Sequence, residues 1–202
     1  LVDDPTTTAL RWVHGENDGL PGLVLDRYGD TTVVKLYSAA WFAHLDAVVS
    51  AAQQVLVADR VVLRLARNVA PDGARADATA LVGELPNRPV RFLERGLTFE
   101  ADVVHGQKTG HFLDQRDNRA AVAVHAKGVA VLDAFAHTGA FGVHAAHAGA
   151  KSVTMLDSSG AALALARENI ERNPHADCTA DFVQADVFEH LGSLRDGARR
   201  FD

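Results

Sequence analysis

Three short apolar runs in the second half of the chain each lead into an aspartate: VAVLDAF around Asp133, KSVTMLD at Asp157 and CTADFVQAD at Asp186. Segments of helical spacing separate them. GAFGVHAAHAG is closed by Gly149. SSGAALALARENIERN has Ser158 or Ser159 as N-cap, an apolar stripe of Ala162, Leu165, Ala166 and Ile170, and Pro174 after its end. A short helix, VFEHLGSL, follows the third run, and RRFD opens what should be a fourth strand. Parallel strands need crossover connections, and each crossover helix must bury its apolar face on the sheet. The alternation therefore predicts α/β architecture, a parallel sheet covered by helices.

The first half reads as mixed α/β. GLVLDRY and TTVVKLYS flank Gly29-Asp30, a two-residue hairpin signal. Trp41, Phe42, Leu45, Val48, Val49, Ala52, Val55 and Leu56 recur at helical spacing and predict an amphipathic helix over 40–58. RVVLRLARN returns to alternation, with Val61, Leu63 and Leu65 on one face. Residues 68–89, rich in proline and glycine, read as a loop or domain connection, and VRFLERGLTFEADVV as two strands about Arg95-Gly96. DNRAAVAVHAKG reads as a helix closed by Gly128.

Ligands of open α/β sheets lie outside the carboxyl ends of the strands. The first acid-tipped strand runs into DAFAHTGAFG, where Gly139 lets backbone approach a ligand and the helix start offers free N–H groups. The G-x-G-x-x-G pattern of a pyrophosphate loop is absent, which argues against a nicotinamide-dependent oxidoreductase. An acid beside the loop would repel a phosphate but suits an ammonium. Asp157 suits a ribose diol, and Asp186 an adenine amino group. Ammonium, ribose and adenine without phosphate describe S-adenosylmethionine. Aspartates that only cap the following helices are the alternative.

A net charge of −6 gives no overall basic face for nucleic acid, although Arg64, Arg67, Arg88, Arg91 and Arg95 make the middle locally basic. No apolar run approaches the ~18 residues of a membrane span, and the first residues lack the basic start and apolar core of a secretory signal. The lone Cys178 excludes an internal disulfide and fits a reducing cytoplasm. His144 and His147, three apart, are weak metal candidates, so no metal is expected.

One segment is too polar for a core strand and too distinctive for a linker: HGQKTGHFLDQRDNR, His105 to Arg119. With DGLPGLVLDRYGD, GELP, DAFAHTGAFG, VTMLDSSGAALALARENIERN and FVQADVFEHL, it resembles the ribosomal RNA large-subunit methyltransferases that transfer a methyl group from S-adenosylmethionine to carbon 5 of cytosine. The resemblance runs from about residue 9 to the end and implies a small α/β middle domain at 1–95 on the RNA-substrate side. It also implies a Rossmann-like class I methyltransferase domain from 96 to 202, incomplete at its C-terminus, with a hairpin at 103–116 over the cofactor pocket.

The same resemblance implies roles for residues. Phe112, Gln115 and Arg116 flank the cofactor, with Arg116 gripping the methionine carboxylate. Asp133, Phe135, Ala136, Thr138, Gly139 and Ala140 form the first cofactor loop, in which His137 departs from the tyrosine-like residue expected. Asp157 and Ser158 take the ribose side, Asp186 and Val187 the adenine side. Lys108 and Asp114 are either functional or a local ion pair, and Asp117, Asn118 and Arg119 read as a solvated first helical turn. An Asp-Pro-Pro strand and the nucleophilic cysteine are expected beyond Asp202. Cys178, at the start of the third strand, does not read as that nucleophile. A non-catalytic S-adenosylmethionine- or RNA-binding module is the second reading. Large-subunit ribosomal RNA as substrate, a cytoplasmic location, no membrane contact and, as an option, a homodimer complete these expectations.

Overall fold

The structure is a computed structural model that describes residues 4–56, 58–73, 75–175, 177–197 and 200–202. Its elements, in chain order, begin with β1 (Ala9–His14), β2 (Leu23–Tyr28), β3 (Thr31–Leu36), α1 (Leu45–Leu56), β4 (Arg60–Leu65), β5 (Thr79–Val82), β6 (Val90–Glu94) and β7 (Leu97–Ala101). They continue with α2 (Arg116–Ala123), β8 (Ala130–Ala134), α3 (Ala140–His147), β9 (Ser152–Asp157), α4 (Gly160–Glu171), β10 (Thr179–Gln184) and α5 (Val187–Asp196). The chain divides into two compact units: Leu1–Gly96 with Glu100–Asp114, and Leu97–Phe99 with Gln115–Asp202. Among the described residues no helix is long and apolar enough to cross a membrane.

The first unit holds a five-stranded sheet in the order β1-β2-β3-β4-β5, with β3 and β4 parallel and the other pairs antiparallel. The β2–β3 hairpin turns at Gly29-Asp30, Gly29 supplying the positive φ of 57°. The expected helix over 40–58 is shorter: Ala39–His44 is a 3-10 turn capped by Ser38, and α1 ends at Leu56. Val57 lies outside the described residues. Leu45, Ala52 and Leu56 of α1 pack on Leu25, Val34, Leu36, Val61 and Leu63 to form the core.

One expectation fails here. Residues 68–89 are not only a loop, because β5 pairs with β4. In β4, Val61, Leu63 and Leu65 share the face that joins this core, as their alternation predicts, and Val62 is fully buried as well, so both faces are covered. The second face of the sheet is covered by residues 103–111, through bonds from Arg64 to the carbonyls of Val103 and Gly106 and from Tyr28 to that of His111.

The second unit is the parallel sheet that the acid-tipped runs predict, in the order β10-β9-β8. In-register pairing sets Gln184 beside Asp157, and Asp133 beside Met155. On the other edge of β8, the Asp202 N–H donates to the Ala130 carbonyl at 3.0 Å, and its carboxylate accepts from the Ala130 N–H at 2.9 Å. β8 is therefore the edge strand of the described sheet, and its free edge meets only this terminal residue among the described residues. Val153, Met155 and Leu156 of β9 and Ala166 of α4 are fully buried.

Candidate functional site

The loop after β8 is built under strain. Phe135 and His137 adopt positive φ, 61° and 50°, on either side of the buried Ala136. Side chains rarely accept that region, and such residues gather where a loop must hold one shape for a ligand. The Ala136 N–H donates to the Leu156 carbonyl and the His137 N–H to Asp157 Oδ2 at 2.8 Å, so the tip of β9 fixes the loop after β8. Burial holds His137 below its ordinary pKa, against the opposing pull of the Asp157 charge.

Gly139 (φ 75°) precedes α3 as its N-cap, and packing alone requires a glycine there. A Cβ there would lie 2.8 Å from both the Ala166 Cβ and the Met155 sulfur, so the glycine lets the loop close onto α4 and β9. Gly142 is equally constrained: its Cβ would meet Met155 Cε, and its N–H donates to Asp133 Oδ2 at 2.9 Å. Thr138 and Ala140 are buried, and the Thr138 carbonyl accepts from Asn169 Nδ2 at 3.0 Å.

Asp133 is the chemically unusual group. Its side chain is buried, and burial, with the nearby charge of Asp157, pushes its pKa up to about 6 against the pull of the Gly142 N–H and Arg119. A carboxylate in this state gains from a cation more than an exposed one does.

Asp157 accepts from the His137 and Ser159 N–H groups, one on each oxygen. The exposed Ser158 uses its carbonyl to accept from Gln184, while Ser159 caps α4. Asp186 is exposed and caps α5 through the Glu189 N–H at 3.0 Å, the capping alternative raised above. Val187 is buried next to it.

Arg116 opens α2, and its Nε is buried without a hydrogen-bond acceptor among the described residues; Asp117 lies 3.5 Å away. An unsatisfied buried guanidinium nitrogen is costly unless a ligand supplies an acceptor. Gln115 is half-buried and accepts from Asn118 at 2.9 Å. Asp117 and Asn118 are exposed, but Arg119 corrects the solvated-turn expectation: it is 1% exposed, over the Phe141 ring at 5.8 Å, with a charge that acts on Asp133. Its spacing of three from Arg116, which places both on one helix face, was the available signal. A second residue missed is Phe188, 75% exposed and edge-on to Phe135 (58% exposed) at 5.5 Å.

Phe112 belongs to the first unit. The expected hairpin at 103–116 is a run of turns ending in a 3-10 segment, Leu113–Gln115, because Asp102 Oδ1 accepts from the Val104 and His105 N–H groups and takes them out of any ladder. Lys108 puts its ammonium 4.4 Å over the Phe112 ring in place of the local ion pair with Asp114. Thr109 is buried and donates to Asp26 at 2.6 Å, and Asp26 also receives both arms of Arg11 at 2.7 and 2.8 Å. Much of this segment's polarity is therefore spent on a polar sheet face. Cys178 is buried just before β10, at the opposite end from Asp186, and burial pushes its thiol pKa up. His144 stacks on Phe99, and His147 bonds the Pro174 carbonyl. Among the described residues no cluster of three or more His, Cys, Asp or Glu could hold a metal.

A parallel sheet in the order β10-β9-β8, crossed by α3 and α4, with acids at successive strand ends and a fixed loop after β8, is a Rossmann-like arrangement. Residues 19–200 match the S-adenosylmethionine-dependent methyltransferase family, and the chain belongs to it, with S-adenosylmethionine as cofactor. It is 45% identical over 199 residues to a ribosomal RNA large subunit methyltransferase of Deinococcus radiodurans, covering 97% of this chain and 49% of that protein. It is 37% identical over 202 residues to ribosomal RNA large subunit methyltransferase I of Alteromonas mediterranea, 100% of this chain and 51% of the relative. A solved structure assigned as a methyltransferase and complexed with SAH matches at 29% identity and a TM-score of 0.83, over 98% of this chain and 50% of that one. The chain thus spans about half the length of the curated relatives it matches.

Proposed function

We propose that this chain supplies the cofactor-binding and substrate-side units of an enzyme that methylates large-subunit ribosomal RNA at carbon 5 of a cytosine. The observation that carries the cofactor pose is a pair of groups in one unit: Asp133, a carboxyl whose burial outweighs the pull of Arg119, and Arg116 Nε, buried without a hydrogen-bond partner among the described residues and only Asp117 at 3.5 Å. They are the charge complements of an amino acid's ammonium and carboxylate. Asp133 takes the ammonium and Arg116 the carboxylate. Asp157 and Ser158 take the ribose, Asp186 and Val187 the adenine edge, and Phe135, Ala136, Thr138, Gly139 and Ala140 shape the floor. Gln115 flanks the cofactor within the second unit, and residues 1–95 are the RNA-substrate side.

The bound cofactor supplies an electrophilic methyl group on a sulfonium centre. Carbon 5 of cytosine is a poor nucleophile until a thiolate adds to carbon 6 and makes it enamine-like. A buried thiol with a raised pKa at the far end of β10 is unsuited to that role, so Cys178 is not assigned it. The RNA substrate rests on similarity to relatives named as large-subunit ribosomal RNA methyltransferases.

Calorimetry tests the cofactor pose. S-adenosylmethionine and S-adenosylhomocysteine should bind and NAD should not, and Arg116→Ala should lose a charge-assisted bond and about tenfold or more in affinity. Unchanged affinity in Arg116→Ala would overturn the assignment.

A further inference from the structure

The first unit carries a cleft of about 660 Å³ that the cofactor reading does not use. Three arginines line it, Arg60, Arg88 and Arg91, with Asn87, Asp30 and Glu100. Arg60 donates through Nε to the Thr31 hydroxyl at 3.2 Å and through one terminal nitrogen to Asp30. Arg91 is held through Nε and one terminal nitrogen by a single oxygen of Glu100, at 3.4 and 3.2 Å. The two ends of that pair differ in exposure: the guanidinium side chain is 65% exposed and the carboxylate side chain 10%. A largely buried acid therefore fixes an exposed cation in place. In both arginines the remaining terminal nitrogen bonds nothing among the described residues. Arg88 is exposed and has no partner among them.

The backbone around these side chains is stiff. Arg88 sits between Pro86 and Pro89, whose rings fix φ. The β2–β3 turn closes on β6, where a Cβ at Gly29 would come within 3.2 Å of the Arg91 carbonyl. Three guanidiniums against two carboxylates leave the cleft positive in a chain of net charge −6. Arg64, counted above in the locally basic middle, adds nothing to this face: it is buried on Asp77 and two backbone carbonyls.

We propose that this cleft holds the phosphodiester backbone of the RNA substrate, with Arg88 and Arg91 each taking a phosphate. Forked, always-charged guanidiniums held in place by acids suit phosphate oxygens and read no base, so the cleft positions RNA without selecting sequence. This rests on the RNA substrate proposed above.

The test is fluorescence anisotropy of the chain with a labelled single-stranded RNA across a salt series, with S-adenosylmethionine calorimetry on the same samples. Arg88→Ala should weaken RNA binding and lower the slope of log affinity against log salt by about 0.7, and adding Arg91→Ala by about 0.7 again. Arg67→Ala, an exposed arginine outside the cleft, should change neither. Cofactor affinity should be the same in all variants. An unchanged slope in Arg88→Ala and in the double variant, or no RNA binding at low salt, would overturn the cleft assignment while normal cofactor binding left the second unit's reading intact. A lowered slope with no cofactor binding would support the cleft and refute the cofactor pose instead.

Discussion

If Asp133 receives the ammonium of the cofactor, binding must depend on pH in a way the structure specifies. In the ligand-free chain the carboxyl titrates at about 6 because it is buried beside Asp157. An ammonium in contact favours the charged form and draws the pKa back down, so binding below pH 6 expels a proton. About 90% of the group is ionised at pH 7 and about 10% at pH 5, so affinity should fall roughly tenfold between them, about 1.4 kcal/mol. The ligand's own ammonium and carboxylate do not titrate in this window. Calorimetry of S-adenosylhomocysteine at pH 5, 6 and 7, in buffers of different ionisation enthalpy, reads both the affinity and the proton released. Asp133→Asn keeps an acceptor for the Gly142 N–H, so it should bind more weakly at pH 7 and lose the pH dependence. A flat profile in the wild-type chain, or an equal slope in Asp133→Asn, would refute the assignment.

The same burial makes a prediction about stability. A folded carboxyl pKa raised to about 6 penalises the charged form, so the cost is absent below the unfolded pKa near 4, grows as pH rises to 6 and is complete above it. Asp133→Asn should stabilise the chain at pH 7 by up to about 3 kcal/mol and do nothing at pH 3.5, as read from urea midpoints. Gly139→Ala puts a Cβ 2.8 Å from Ala166 and Met155 at φ 75°, and should cost about 2–3 kcal/mol in thermal unfolding. Asp26→Ala strands Arg11 and removes the acceptor of Thr109. It should cost about 3 kcal/mol and expose residues 103–111 to hydrogen exchange. Asp186→Ala should lose about 1 kcal/mol of capping, whereas Asp186→Asn keeps the cap. Full S-adenosylmethionine affinity in the Asn variant would reduce Asp186 to a helix cap.

The sequence by itself determined the second unit. Apolar runs separated by helical stripes permit little but a parallel sheet, and an acid at each strand end marks the ligand side, because strand and helix periods are local properties that neighbouring residues report. Arg116 was named through the distinctive motif around it and not through any periodicity. What only the tertiary structure decided is everything that depends on which surfaces meet. β5 is a strand because β4 offers it an edge, not because TALV announces one. Arg119 is a buried charge acting on Asp133, although its neighbours Asp117 and Asn118 face solvent. Thr109 and His111, in a segment that reads as ligand-facing, are buried in the first unit, with Thr109 bonded to Asp26 and the His111 carbonyl to Tyr28. The raised pKa of Asp133 likewise comes from desolvation and from Asp157, brought near by strand pairing. Periodicity is written in the chain, whereas burial and charge proximity between distant residues exist only once the sheet has set its register.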